Sequence, residues 1–173
     1  MNRNKAVQII ILLAVLAVGG ITIASGAFSA NSSVPKAGDM APEFTLAGLD
    51  GADHSLSDYR GKAVMINFWG SFCPPCVREM PAIQKQYEKT AGADFTVLGI
   101  NLDESVVTVK SFINQHGVTF PILLDKDTVR ERYGVTAFPT TFFLDKKGKI
   151  MVRHEGEMSE DFIKATLAKL LAD

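Results

Sequence analysis

The chain has 173 residues, 47% of them hydrophobic and 21% charged, which suits one globular core with extra segments attached. A net charge of −1, with no basic run beyond the first residues, gives nucleic acid nothing to bind. Two cysteines are too few for a disulfide scaffold, so their closeness in sequence says more than their number.

Arg3 and Lys5 precede an almost unbroken apolar stretch from Ala6 to Phe28. A bilayer core needs about 20 apolar residues, whereas the apolar part of a signal peptide has roughly 7 to 15. Length therefore favours a retained, single-pass anchor over residues 1–28, although small residues around Ala24 to Ala30 leave a cleaved signal as the alternative. The leading positive residues should stay in the cytoplasm, placing the rest of the chain outside. Residues 29–37 are small and polar, include Pro35, and read as a tether.

The folded domain is expected over 38–173. Phe44-Thr45-Leu46 suggests a short strand, Gly48 to Gly51 a turn, and Ser55 to Asp58 a second brief element. Val64 to Trp69 is β-branched and aromatic, as in a buried strand, and Val77 to Lys89 carries apolar residues at helical spacing, ending near Gly92. Strands are then predicted over Phe95–Asn101 and Phe120–Leu124. Between them Val106 to Ile113 marks a helix closed by His116-Gly117, and Asp127 to Tyr133 follows as a short helix. Pro139 should open a strand running to Leu144, because proline has no N–H to give a sheet ladder. Ile150 to Arg153 returns as its hairpin partner, and Ser159 caps a last helix whose inward face holds Phe162, Ile163, Leu167, Leu170 and Leu171. Alternating strands and helices predict an α/β fold with a central mixed sheet flanked by helices.

Cys73-Pro74-Pro75-Cys76 falls where the buried strand becomes a helix. Proline is tolerated in a first helical turn, where its missing N–H would find no partner anyway. Such a start gathers unpaired N–H groups and the positive end of the helix dipole beside the thiols. A free cysteine has a pKa of about 8.5, and values in C-x-x-C motifs fall to roughly 3.5 to 7.5. Two cysteines three apart can also close a small ring and so hold or release two electrons. Cys73, nearer the loop, is expected to attack and Cys76 to resolve the mixed disulfide. An inert disulfide is the alternative, although so short a loop would constrain the unfolded chain little. Zinc would need about four ligands, and no second cysteine pair exists. No cofactor is implied, and His54, His116 and His154 read as surface or internally satisfied residues.

Gly38 to Phe44, Asp58 to Lys62, Asn67-Phe68-Trp69 and Phe138-Pro139-Thr140-Thr141 resemble the membrane-anchored TlpA/ResA branch of the thioredoxin superfamily, most of all its ResA members. The resemblance runs from about Gly38 to Leu171 and includes the amino-terminal anchor. It implies a thioredoxin-like fold with a central insertion over Val106 to Leu124. It also implies thiol-disulfide exchange outside the cytoplasmic membrane, reduction of the disulfide of apocytochrome c before haem attachment, and re-reduction by a polytopic membrane thiol-disulfide transporter. A monomer is expected. Carried over by position, Cys73 and Cys76 form the redox-active disulfide and Pro139 is a cis-proline facing it. Trp69, Pro74, Phe138 and Pro139 are placed on the substrate side, with Trp69 read more as packing than as chemistry. Glu79 matches the family's acid one turn beyond the second cysteine. Three residues apart on a helix, Cys76 and Glu79 share a face, so a partly buried Glu79 could tune the thiols and relay a proton. The ordinary alternative is a first-turn glutamate favoured by the helix dipole.

Asn67 stands where thioredoxins carry a buried Asp and cannot serve as a proton acceptor; Pro74 stands where ResA has an acid, a departure that bears on the reduction potential. Three other functions compete. Motifs shared with peroxiredoxins, Ala41 to Leu46 and Asp58 to Lys62, lack the peroxidatic Thr-x-x-Cys, since Gly70 lies three before Cys73. Copper-delivery proteins of related fold use C-x3-C and a distant histidine, against C-x2-C here. Within thiol chemistry, oxidase or isomerase activity, or a reductase for another process such as spore-envelope assembly, stays open.

Overall fold

The computed structural model describes residues 34–90 and 94–172. The expected anchor, most of the tether and the predicted helix end at Gly92 lie outside the described residues. Among the described residues no helix is long and apolar enough to cross a membrane.

Seven strands of the described residues form one sheet: β1 (Thr45–Gly48), β2 (Asp53–Ser55), β3 (Ala63–Trp69), β4 (Phe95–Leu102), β5 (Ile122–Asp125), β6 (Thr140–Leu144) and β7 (Ile150–Glu155). Their order across the sheet is β2-β1-β5-β4-β3-β6-β7. β3, β4 and β5 run parallel, while β6 and β1 pair antiparallel with them, giving the mixed sheet expected. Every residue of β3 and β4 is buried. Continuous apolar strands of that kind belong in the middle of a sheet covered on both faces.

Among the described residues four α-helices accompany the strands: α1 (Pro74–Thr90), α2 (Val106–His116), α3 (Thr128–Arg132) and α4 (Glu160–Leu170). Alternation along β3 divides the core. Met65 and Trp69 join Cys76, Met80 and Ile83 of α1, Val109 and Phe112 of α2, and Ile163 and Leu167 of α4 on one face. Val64, Ile66 and Phe68 join Leu98, Ile100, Tyr133 and Phe142 on the other. Each such side chain contributes about 1.5–3 kcal/mol on burial.

The predicted insertion supplies α2 and β5, which seat a parallel strand between β4 and β1 and so widen the sheet. Ser105 accepts from the Thr108 N–H at the start of α2, and Gly117 closes it at φ +64°, a left-handed cap suited to glycine. Ser159 accepts from the Phe162 N–H and caps α4, as the sequence predicts.

Boundaries differ from expectation in several places: β1 reaches Gly48 rather than Leu46, and β7 reaches Glu155 rather than Arg153. The element expected over Ser55 to Asp58 is the end of β2 followed by a 3-10 turn over Leu56–Tyr59. β5 starts at Ile122, after Pro121, and β6 starts at Thr140, with Pro139 just outside. In both places a residue without an N–H stands before the first ladder position. Pro81 lies inside α1, where it removes one helical hydrogen bond.

Candidate redox site

β3 ends at Trp69 and the chain turns through Gly70-Ser71-Phe72 before α1 begins at Pro74. This turn is held from outside the motif. Glu104, beyond β4, accepts from the Ser71 N–H (2.8 Å) and from the Ser71 hydroxyl, and its Oε2 also accepts from Asn101 Nδ2 (2.7 Å). Gly70 leaves room for the exposed Phe72 ring, which would have to shift to admit a Cβ at position 70.

Cys73 and Cys76 are joined as a disulfide with their Cα atoms 5.3 Å apart. Cys73 keeps 7% of its surface exposed and Cys76 none. The Cys73 carbonyl accepts from the Val77 N–H, so this residue caps α1, and the Cys76 N–H donates to Cys73 Sγ at 3.3 Å. An N–H aimed at sulfur from a helix start favours the charged form of that sulfur. Pro74 is exposed and Pro75 half-buried as the first two helical residues, where no N–H is needed.

Glu79, three residues beyond Cys76 on α1, is 1% exposed. Its Oε1 accepts from Asn67 Nδ2 (2.8 Å) and its Oε2 from the Met158 N–H (2.9 Å). Asn67 Nδ2 also donates to Thr141 Oγ1 (2.9 Å). Burial pushes the Glu79 carboxyl up to about 7; the Met158 and Asn67 donors pull the other way, and the nearby Glu157 charge adds to the rise. No acidic residue occupies the first turn of α1. Glu79 is thus a buried carboxyl one turn further in, and the ordinary first-turn reading does not describe it.

The peptide bond between Phe138 and Pro139 is cis. Phe68 pairs with Thr140, so the antiparallel register sets Pro139 level with Trp69, at the end of β3 that feeds the cysteine loop. A protein-family model described as the AhpC/TSA family matches residues 37–153. Thiol-disulfide oxidoreductase ResA of Geobacillus thermodenitrificans is 40% identical over 170 residues, covering 98% of this chain and 97% of that protein. ResA of Bacillus anthracis is 35% identical over 172 residues, covering 98% and 99%. The chain belongs to the ResA family of thiol-disulfide oxidoreductases.

Its fold is thioredoxin-like. The thioredoxin domain of a Bacteroides vulgatus thiol-disulfide oxidoreductase superposes with a TM-score of 0.71 at 29% identity, covering 80% of this chain and 99% of that one. Cys73 and Cys76 are the redox-active pair, which removes the inert-disulfide alternative. The structure brings Cys73, Pro74, Cys76, Glu79 and Pro139 to one end of the sheet.

Trp69 sits differently from the rest. It is wholly buried, packed on Phe112 with ring centroids 4.9 Å apart, and presents no surface to a substrate. Phe138 is half-buried and meets Phe72 edge-on at 6.4 Å, with Phe72 itself 62% exposed. Two contributors were missed in the sequence, Glu104 and the Met158 N–H. The signal for Glu104 was faint: a polar Asn-Leu-Asp-Glu run at the carboxyl end of a central strand, where α/β sheets gather their sites. Nothing local marks Met158, which arrives from the turn before α4. His54 lies between Asp50 and Tyr59, and His116 Nδ1 bonds the Phe112 carbonyl.

Proposed function

We propose that this oxidoreductase reduces protein disulfides on the outer side of the cytoplasmic membrane, with apocytochrome c as its substrate. The observation that carries the reading is the Cys73–Cys76 pair at a helix start with a buried, high-pKa Glu79 behind it. That arrangement provides one accessible sulfur, one hidden sulfur and a proton acceptor on the hidden side.

In the reduced enzyme the Cys73 thiolate attacks one sulfur of the substrate disulfide. A Cys73–substrate disulfide forms, and the other substrate sulfur leaves as thiolate. Cys76 then loses its proton toward Glu79 and attacks Cys73 Sγ, closing the Cys73–Cys76 bond and releasing the second substrate thiolate. Two electrons pass to the substrate; the Cys76 proton rests on Glu79, and the two substrate thiolates take their protons from solvent. With its shielded sulfur, Cys76 is suited only to this internal step. A carboxyl with a pKa of about 7 is poised to accept and return a proton near neutrality. Phe138 and Pro139 border the place where substrate must lie, and backbone pairing there would hold an extended segment.

A reductase in an oxidising compartment needs electrons from across the membrane. A membrane thiol-disulfide transporter is the proposed donor, and the apolar stretch from Ala6 to Phe28, with Arg3 and Lys5 inside, would keep the enzyme beside it. The AhpC/TSA description favours peroxidase activity as a second reading. Against it, Gly70 occupies the position of the peroxidatic threonine.

Equilibration with glutathione and dithiothreitol buffers tests the assignment, read by the fluorescence of Trp69, the sole tryptophan, which shares a core cluster with both cysteines. A potential well below about −200 mV supports a reductase; one near −120 mV, that of a strong oxidant, overturns it. Consumption of hydrogen peroxide by the reduced protein would favour the second reading.

A further inference from the structure

A cleft opens beside the cysteine loop. Phe72 and Phe138 form its apolar wall, and Asp103, Glu104, Asp127 and Arg130 its rim. It is continuous with the active site, since Phe72 immediately precedes Cys73 and Phe138 immediately precedes Pro139. A ring as exposed as that of Phe72, held in place by the Glu104 contacts to Ser71, is the kind of anchor that a passing polypeptide covers.

The rim has a sign. Three carboxylates face one guanidinium, and two of the carboxylates are occupied. Glu104 is committed to Ser71 and Asn101, and Asp127 Oδ1 receives Arg130 Nε at 2.6 Å. Asp103 is exposed, and its carboxylate has no hydrogen bond or ion pair among the described residues. Asp103 and Asp127 are also the two non-glycine residues with positive φ, +50° and +68°, among the described residues. The chain therefore holds both carboxylates on this cleft through conformations usually left to glycine.

We propose that this cleft seats the substrate residue next to the reactive cysteine, and that it selects a lysine or arginine through Asp103. Such a side chain satisfies both halves at once. Its methylene stem lies along the Phe72 and Phe138 rings while its cation reaches the free carboxylate. The inference rests on the reading that Cys73 exchanges with a polypeptide disulfide, and assigns Asp103 as the residue that sets sequence preference for that exchange.

The test uses the reduced full chain and three peptides, identical except for lysine, norleucine or glutamate beside a single cysteine carrying a 2-thiopyridyl group. The Cys73 thiolate attacks the peptide sulfur and pyridine-2-thione leaves; Cys76 then displaces the peptide. Thione release gives the rate, and dividing by the rate with free dithiothreitol removes the peptide's own reactivity. The expected order is lysine, norleucine, glutamate, with about a five- to tenfold spread at low salt that shrinks in high salt. Asp103→Asn, which keeps a residue tolerant of left-handed backbone, should shrink the spread to about twofold. Because the readout is a ratio within one protein, a general loss of reactivity in the variant does not affect it. Equal normalised rates for the three peptides, or a spread untouched by Asp103→Asn, overturns the cleft assignment while leaving thiol exchange standing. Failure of all three peptides to react overturns both.

Discussion

Replacing Glu79 by glutamine separates a buried, titrating carboxyl from an ordinary polar residue. In the folded protein the carboxyl holds its proton up to about pH 7, against an ordinary value near 4.5. The folded state therefore binds a proton that the unfolded chain has released, and this contribution is complete below the unfolded value and lost as pH rises through about 7. For a shift of that size the loss between about pH 5 and about pH 8 is about 2.5 kcal/mol. Glutamine cannot titrate, so Glu79→Gln lacks this slope. It introduces a different cost. Asn67 Nδ2 and the Met158 N–H each donate to one oxygen of Glu79. Glutamine offers only one oxygen, leaving one donor facing its NH₂ at about 1–3 kcal/mol. Urea unfolding of the oxidised protein across this pH range should show Glu79→Gln clearly weaker than wild type at the acid end and near parity at the alkaline end. Groups common to both proteins cancel in the difference. A difference that stays constant with pH would refute the reasoning, because it would mean that Glu79 is charged throughout.

Two further outcomes follow from the same geometry. Cys76→Ser should accumulate a covalent Cys73–substrate adduct, visible by non-reducing electrophoresis or intact mass, whereas Cys73→Ser should form none, since the remaining sulfur is fully buried. Glu104→Gln should cost about 1–3 kcal/mol, because three donors from Ser71 and Asn101 converge on a side chain left with one acceptor. Faster amide hydrogen exchange at Ser71, before any change at α4, would locate that loss in the cysteine loop.

The parts of this molecule that could be read from the chain are those whose signal is local. The apolar run of β3, the two prolines at the start of α1 and the serine cap of α4 each state a backbone preference within a few residues, and each appears where expected. Several boundaries moved by a residue or two, at β5 and β6 because proline, lacking a donor, stands just before the ladder. The place of Pro139 beside the cysteines came from resemblance, because the register that puts it level with Trp69 is a property of the β3–β6 pairing. Trp69 carries the opposite lesson. The resemblance places it on the substrate side, though more as packing than as chemistry, and strand alternation turns it inward against Phe112. Gly99 on β4 leaves it the room, since a Cβ there would come within 3.2 Å of the indole nitrogen.

Glu79 shows why the chemistry needs more than its motif. Helical spacing sets it near Cys76, yet spacing alone is equally compatible with a solvated glutamate at an unperturbed pKa. Its perturbation comes from elements distant in sequence: Asn67 from β3, steadied by Thr141 from β6, and the backbone N–H of Met158 from the turn before α4. These donors stabilise the anion and burial opposes it, and the balance falls near neutrality, where a proton relay is useful. Asn67 matters here for what it cannot do. An aspartate at the same place would share the buried space with Glu79 as a second carboxyl, and two adjacent acids cannot both ionise cheaply. Asparagine supplies a donor without a charge, leaving Glu79 as the acid behind the disulfide. The departure from the thioredoxin pattern in β3 and the acid in α1 are therefore two parts of one arrangement, in which the buried titrating carboxyl stands on the helix and its uncharged donor on the strand.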